Sequence, residues 1–189
     1  GWSKELKLIY DYHPELHVVF SGSTVLDITK GVQSDLSRRA VVYTLYGLSF
    51  REYLELFDGI MAQTYTLDEV VAHKVEMSED FRPLVHFKKY LEKGYYPFAL
   101  EDDYEEKLAM VVAKTLETDI PEYANMNVST GRKLKRLMAV IAESAPFKPN
   151  MATLAEVLGV SRNNVADYLL YVERAGLIIQ LRDRTGGVR

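Results

Sequence analysis

Between Thr153 and Gly176 the sequence reads TLAEVLGVSRNNVADYLLYVERAG. No other stretch restricts the fold so tightly. Thr153 can cap a short helix, Gly159 turns the chain, Ser161 caps a second helix, and Gly176 ends it. Just upstream, Leu134, Leu137, Met138 and Ile141 recur at helical spacing and predict an amphipathic helix over 132–145. Downstream, Leu177-Ile178-Ile179-Gln180-Leu181 predicts a strand, and Asp183-Arg184-Thr185-Gly186-Gly187 a turn. Helix, helix, glycine turn, helix and hairpin is the order of a winged helix-turn-helix.

Charge sets this region apart. The chain as a whole carries −4, yet residues 129–189 hold 10 Lys/Arg against 5 Asp/Glu, while residues 1–128 hold 13 against 22. A basic module on an acidic body favours an anionic partner for the former. In such a module the first residues of the second helix reach base edges, here Arg162, Asn163 and Asn164. Arginine suits guanine and asparagine suits adenine in the major groove. Arg182, Arg184 and Arg189 on the expected wing can touch phosphate, and Lys133, Lys135 and Arg136 add positive charge. Against this, Asp167 and Glu173 share the helix, and bulky Tyr168, Leu169, Leu170 and Tyr171 offer a face to a protein instead. DNA and a protein partner both stay open.

The middle of the chain is helical in pattern. Candidate helices cover 49–57, 66–76, 78–93 and 103–118. Ser49 and Glu52 form a capping box at the first of them, and Gly94-Tyr95-Tyr96-Pro97 makes a turn. Glu101, Asp102, Asp103, Glu105 and Glu106 gather where the helix dipole favours negative charge. Their spacing is that of a solvated helix start, not of a metal site.

The first 48 residues alternate. A helix over 3–12, with Ser3 as its N-cap, is broken by Pro14. Val18-Val19-Phe20 predicts a short buried parallel strand, residues 24–30 a short helix ended by Gly31, and Ala40 to Leu45 a second strand. That order is α/β. Two strands make a poor sheet, so a longer parent protein is expected. The first strand ends in Ser21-Gly22-Ser23-Thr24. Ligands of open α/β sheets bind at such strand ends, which lets Ser23 or Thr24 meet a phosphate or an attacking water. The plainer alternative is that both cap the next helix.

Several classes are excluded or disfavoured. With no cysteine there is no disulfide framework and no thiolate zinc site. His13 and His17 are four apart, but Pro14 separates them, so no metal pair is expected. No apolar run reaches the length of a membrane span and no signal peptide opens the chain, which leaves a cytoplasmic location as the expectation.

The run Val18–Leu26, then Asp35-Leu36-Ser37-Arg38-Arg39, then Leu48-Ser49-Phe50-Arg51-Glu52-Tyr53 together resemble the prokaryotic AAA+ superfamily ATPases that carry a C-terminal winged helix and often a nuclease-like domain of unknown function. Gly94 to Pro97 is similar to that family's Gly-Gly-x-Pro turn. Glu117-Thr118-Asp119-Ile120-Pro121 is similar to its Asp-Ile-Pro junction, and Trp2 to a Trp that follows the Walker B segment. Arg38 departs from the pattern, standing where the family usually has Gly, and Gly47 stands where it usually has Pro.

The resemblance implies a mixed α/β, mostly helical fold. A remnant of a parallel-sheet AAA+ core would occupy 1–48, a helical lid 49–128 and a winged helix-turn-helix 129–189. It implies that Ser23 is the sensor 1 residue orienting the water that attacks ATP, with Thr24 close by. Arg39 would be an arginine finger or phosphate sensor, with Arg38 sharing the nucleotide. The alternative for Arg39 is a surface pair with Asp35, one turn back. No Gly-x-x-x-x-Gly-Lys-Ser/Thr and no Asp-Glu strand end occurs. ATP and Mg are therefore expected in the parent protein, and neither on this chain alone. The function implied is an ATP-hydrolysing switch. The alternatives are a DNA-binding regulatory module with a helical interaction body, or an oligomerisation piece. DNA, another protein or a second copy are the partners to expect.

Overall fold

The computed structural model describes residues 1–22, 25–78, 80–94, 96–127, 129–146 and 148–181. Its ordered elements are helices: α1 (Trp2–Tyr12), α2 (Val25–Ser34), α3 (Phe50–Asp58), α4 (Leu67–Val71), α5 (Pro83–Lys93), a 3₁₀ turn (Pro97–Leu100), α6 (Tyr104–Lys114), a π-helical turn (Thr115–Asp119), α7 (Ile120–Tyr123), α8 (Ser129–Ser144), α9 (Met151–Leu158) and α10 (Arg162–Arg174). A mostly helical chain is thus what forms. The parallel-sheet part of the mixed α/β expectation is overturned, because no strand occurs among the described residues. Residues 18–20 and 40–45 have strand-like composition but no neighbour supplying ladder hydrogen bonds, without which extended chain is not a strand. Neither run is a buried element: Val19 is 97% exposed and Leu45 98%. Residues 177–181 likewise form no strand.

The chain divides into two compact units, Gly1–Val42 with Ala109–Arg189, and Tyr43–Leu108. In the first, an aliphatic core gathers where helical stripes meet. α10 contributes Val165, Tyr168, Leu169 and Val172, spaced i, i+3, i+4 and i+7, all buried. α8 faces them with Leu134 and Leu137, both with no exposed surface. Leu116 and Ile120 enter from the segment before α8, and Leu26 joins α2 to the same cluster.

The π turn has a local cause. Pro121 has no N–H, so the carbonyl of Glu117 loses its ordinary i+4 donor and the ladder widens there. α8 crosses this turn closely. A methyl group on Gly131 would lie 2.9 Å from Glu117 Cα, so only glycine fits the contact.

In the second unit the caps do more than the core. Ser49 with Glu52 opens α3, and Thr66 with Glu69 opens α4, each as a complete capping box. α4 ends at Val71, well short of the expected 76, and His73 follows with φ at +54°. α5 starts at Pro83 rather than 78, because proline suits the first helical turn and needs no donor there. α3 and α5 meet through rings: Phe50 on Phe87 at 5.2 Å, Tyr53 on Tyr90 at 5.1 Å, and Tyr53 stacked on Phe57 at 4.5 Å. Tyr90 donates to the Leu48 carbonyl at 2.8 Å, and His86 Nδ1 meets Asp58 at 2.7 Å. The acidic run 101–106 lies at the start of α6, and Lys107 bridges two of its five carboxylates, Glu101 and Asp103.

Candidate functional site

Two places gather the residues the sequence singled out. The first lies between α1 and α2. Ser3 is not the cap of α1, since Gly1 holds that position. Ser3 is instead buried and donates its hydroxyl to Asp35 at 2.5 Å. Gly31 does not end α2 but sits inside it, where an added methyl would come within 2.3 Å of the Trp2 ring. That contact sets how closely the two helices approach. Trp2 also packs against Phe20, with ring centres 5.5 Å apart. A cleft of about 560 Å³ opens beside them, lined by Trp2, Phe20, Ser21, Gly22 and Ile28 among others. Ser23 and Thr24, the expected sensor and its neighbour, lie outside the described residues.

Arg39 is held here too, though not by the partner considered for it. Its guanidinium donates twice to Asp11, Nε to Oδ1 at 2.8 Å and Nη2 to Oδ2 at 3.2 Å. It also lies 6.0 Å from the centre of the Tyr10 ring. Asp35, the partner considered from sequence, is occupied by Ser3 and Ser34. The hydrogen bond from Arg39 holds the Asp11 carboxyl below its ordinary value, and Asp11 raises Arg39 in turn. Sequence offered no sign of this pair, because the partners are 28 positions apart on different elements. Arg38 is exposed and adopts φ +68°. This left-handed conformation favours glycine, which gives a physical reason for the glycine that the resemblance puts there.

The second place is the start of α10. α9, a three-residue turn and α10 form a helix-turn-helix in the plain geometric sense, with Gly159 at φ +62° in the turn. Asn150, rather than Thr153, caps α9 by accepting from Ala152 and Thr153 N–H. Ser161 caps α10, and Arg162, Asn163 and Asn164 follow, all exposed. Tyr168 and Leu169, considered as a protein-facing surface, are 5% and 7% exposed and belong to the core. Tyr171 is half-buried and meets Tyr123 at 6.1 Å. Glu173 accepts from both the backbone and the side-chain amide of Gln180, at 3.2 Å each, and so pins the segment after Gly176 onto α10. Among the basic residues of α8, Lys135 pairs with Glu117 at 2.7 Å. Arg182 and Arg184 lie outside the described residues. The structure does not bring the α10 residues together with Arg38 and Arg39. Arg39 pairs with Asp11 on α1, whereas Arg162, Asn163 and Asn164 open α10.

Residues 84–187, more than half of the chain, match the family model described as a domain of unknown function (DUF8612). The chain belongs to that family. The family model spans the helices from α5 through α10. Residues 1–54 match a model described as an AAA domain, so the α1–α2 region and the start of α3 are similar to part of an ATPase-type domain. The uncharacterized protein MJ1637 of Methanocaldococcus jannaschii is 25% identical over 190 residues, covering 95% of this chain and 40% of its own length. The chain therefore spans well under half of that curated relative. No solved structure matches it. No helix among the described residues is long and apolar enough to cross a membrane.

Proposed function

We propose that this chain is part of an AAA-type ATPase in which ATP hydrolysis is coupled to a helix-turn-helix module. The observation that carries the ATPase half is the AAA-domain match over residues 1–54, which spans Ser23, Thr24, Arg38 and Arg39. In this reading Ser23 and Thr24 position the attacking water, and Arg39 stabilises phosphate charge as it develops, with Arg38 beside it. Phosphoryl transfer needs such positioned charge more than covalent chemistry. Magnesium and ATP would be held by other parts of the ATPase. The pair with Asp11 supports the geometry of an oriented, incompletely buried guanidinium.

The test is ATP hydrolysis by the full-length protein. Wild type is compared with Ser23→Ala, Arg39→Ala and Asp11→Ala. Arg39→Ala should cost roughly a thousandfold or more. Asp11→Ala breaks the same ion pair but keeps the guanidinium, and should cost far less. Equal losses in the two variants would reduce Arg39 to a structural residue.

For the helix-turn-helix module, nucleic acid is favoured over a protein partner by one observation. Val165, Tyr168, Leu169 and Val172 of α10 turn into the core, while its exposed first turn presents Arg162 and Asn163. A protein-docking helix would instead keep apolar side chains outward. Binding to random duplex DNA should weaken steeply with salt, as phosphate contacts require. Salt-independent binding, or none at 50 mM salt or thereabouts, would remove this half of the proposal.

A further inference from the structure

We infer that Asn163, with Arg162, reads base edges, and that Asn164 does not: its side chain belongs to the cap of α10. This rests on the nucleic-acid reading above and sharpens it. From sequence the two asparagines are equivalent, since adjacent residues of one type at a helix start could each reach a groove. The structure separates them. Ser161 Oγ accepts from the Asn164 backbone N–H at 3.2 Å and donates its own proton to Asn164 Oδ1 at 2.9 Å. The Asn164 side chain is therefore folded back toward the helix start.

Recognition of adenine by asparagine is bidentate. The amide oxygen accepts from the base N6 while the amide nitrogen donates to N7, in one plane. Asn164 Oδ1 already accepts from Ser161, which holds the amide at the helix start and leaves that oxygen one lone pair.

The other capped helices of this chain make the same case independently. α3 opens with Ser49 and α4 with Thr66, and in both the residue three positions on reaches back to the cap. Glu52 accepts from the Ser49 hydroxyl at 2.7 Å, and Glu69 from the Thr66 hydroxyl at 2.8 Å. Asn164 stands at the same third position and makes the same hydroxyl contact. It fills a structural role this protein fills elsewhere with glutamate. Asn163 and Arg162 are exposed, and neither side chain enters a hydrogen bond or ion pair among the described residues.

The decisive variant is Asn164→Asp. Aspartate keeps the oxygen that Ser161 needs but lacks the amide donor that adenine needs. A pool of random-sequence DNA duplexes is selected on the wild-type chain, on Asn164→Asp and on Asn163→Ala, with thermal melting of each protein alongside. The expected result is that Asn164→Asp melts like wild type and enriches the same motif, with affinity lowered uniformly by its added charge. Asn163→Ala should also melt like wild type yet lose preference at one adenine position, roughly 10- to 100-fold. Loss of the adenine preference in Asn164→Asp, or its survival in Asn163→Ala, would overturn the assignment. If the wild-type chain retains no duplex at low salt, the nucleic-acid reading itself fails and Asn163 loses its role as a reader. Melting of Asn164→Ala against Asn164→Asp would still report the cap.

Discussion

The two units of this chain solve the same problem with different materials. The unit built from residues 1–42 and 109–189 buries aliphatic side chains completely. Leu116, Ile120, Leu134, Leu137, Val165 and Val172 form its centre. The unit of residues 43–108 has few fully buried side chains and relies on rings and caps. Tyr53 and Leu54 are buried there, but Phe87 remains 40% exposed within the aromatic cluster. Aliphatic packing between helices needs close approach, which explains why glycine sits at the contact between α8 and the π turn. Aromatic contacts span larger gaps and tolerate partial wetting. The first arrangement concentrates stability in a few sites. The second spreads it over many small terms.

The sharpest way to break this contrast is Leu134→Ala. With the side chain fully buried, the loss should be about 2–5 kcal/mol in denaturant unfolding, from lost burial plus a cavity. Phe87→Ala should cost less, nearer to the roughly 0.5–1.5 kcal/mol of an aromatic pair plus its partial burial. Equal losses would mean the aromatic unit is as tightly organised as the aliphatic one.

Gly131→Ala comes next. The neighbour a methyl group would strike is the backbone of Glu117, which cannot rotate away as a side chain could. Overpacking should cost about 1–3 kcal/mol, partly offset by the better helix propensity of alanine. Gly31→Ala should be milder, because there the obstacle is the half-exposed Trp2 ring. If the Gly31 change proves worse in a thermal melt, the α1–α2 contact is the more rigid of the two.

Acid should act more gently, on the capped helices and the α1–α2 junction before the aliphatic core. Glu52 is held below its ordinary value mainly by the Ser49 hydroxyl, and Glu69 mainly by the Thr66 backbone N–H. A lowered folded pKa means the contribution is complete above the ordinary value of 4.5 and is lost as pH falls through the lower folded value. α3 and α4 should fray in that window. The α1–α2 junction should loosen with them, because Asp11 and Asp35 are lowered as well. The packing of α8, α9 and α10 rests on buried aliphatic side chains. Amide exchange followed by segment should show those three helices outlasting the rest, and Glu52→Gln should flatten the response of α3. Uniform loss across the chain would contradict this.

The smallest effect should come from Arg38→Gly. Relief of a left-handed residue is worth about 1–2 kcal/mol, and the greater freedom of unfolded glycine takes back roughly 0.5–1. A small rise in melting temperature is expected. A fall would show that the Arg38 side chain does more for stability than its exposure suggests.

Sequence determined the helices, because their signals are local. The cap at Ser49, the glycine at 159, the cap at Ser161 and the inward spacing of Leu134 and Leu137 each lie within a few residues of what they control, and each appears where expected. Tertiary structure decided everything that needed a second segment. Val18–Phe20 and Ala40–Leu45 read as strands, but composition cannot supply the neighbour a strand requires. Tyr168 and Leu169 read as a surface, and packing against α8 and its neighbours made them core. Arg39 took Asp11, 28 positions away, over Asp35 close by. One hydroxyl of Ser161 distinguished two asparagines that the sequence leaves identical. Caps and periodicity act over one turn of chain, whereas partners are chosen among all the groups that folding brings within about 3 Å of each other.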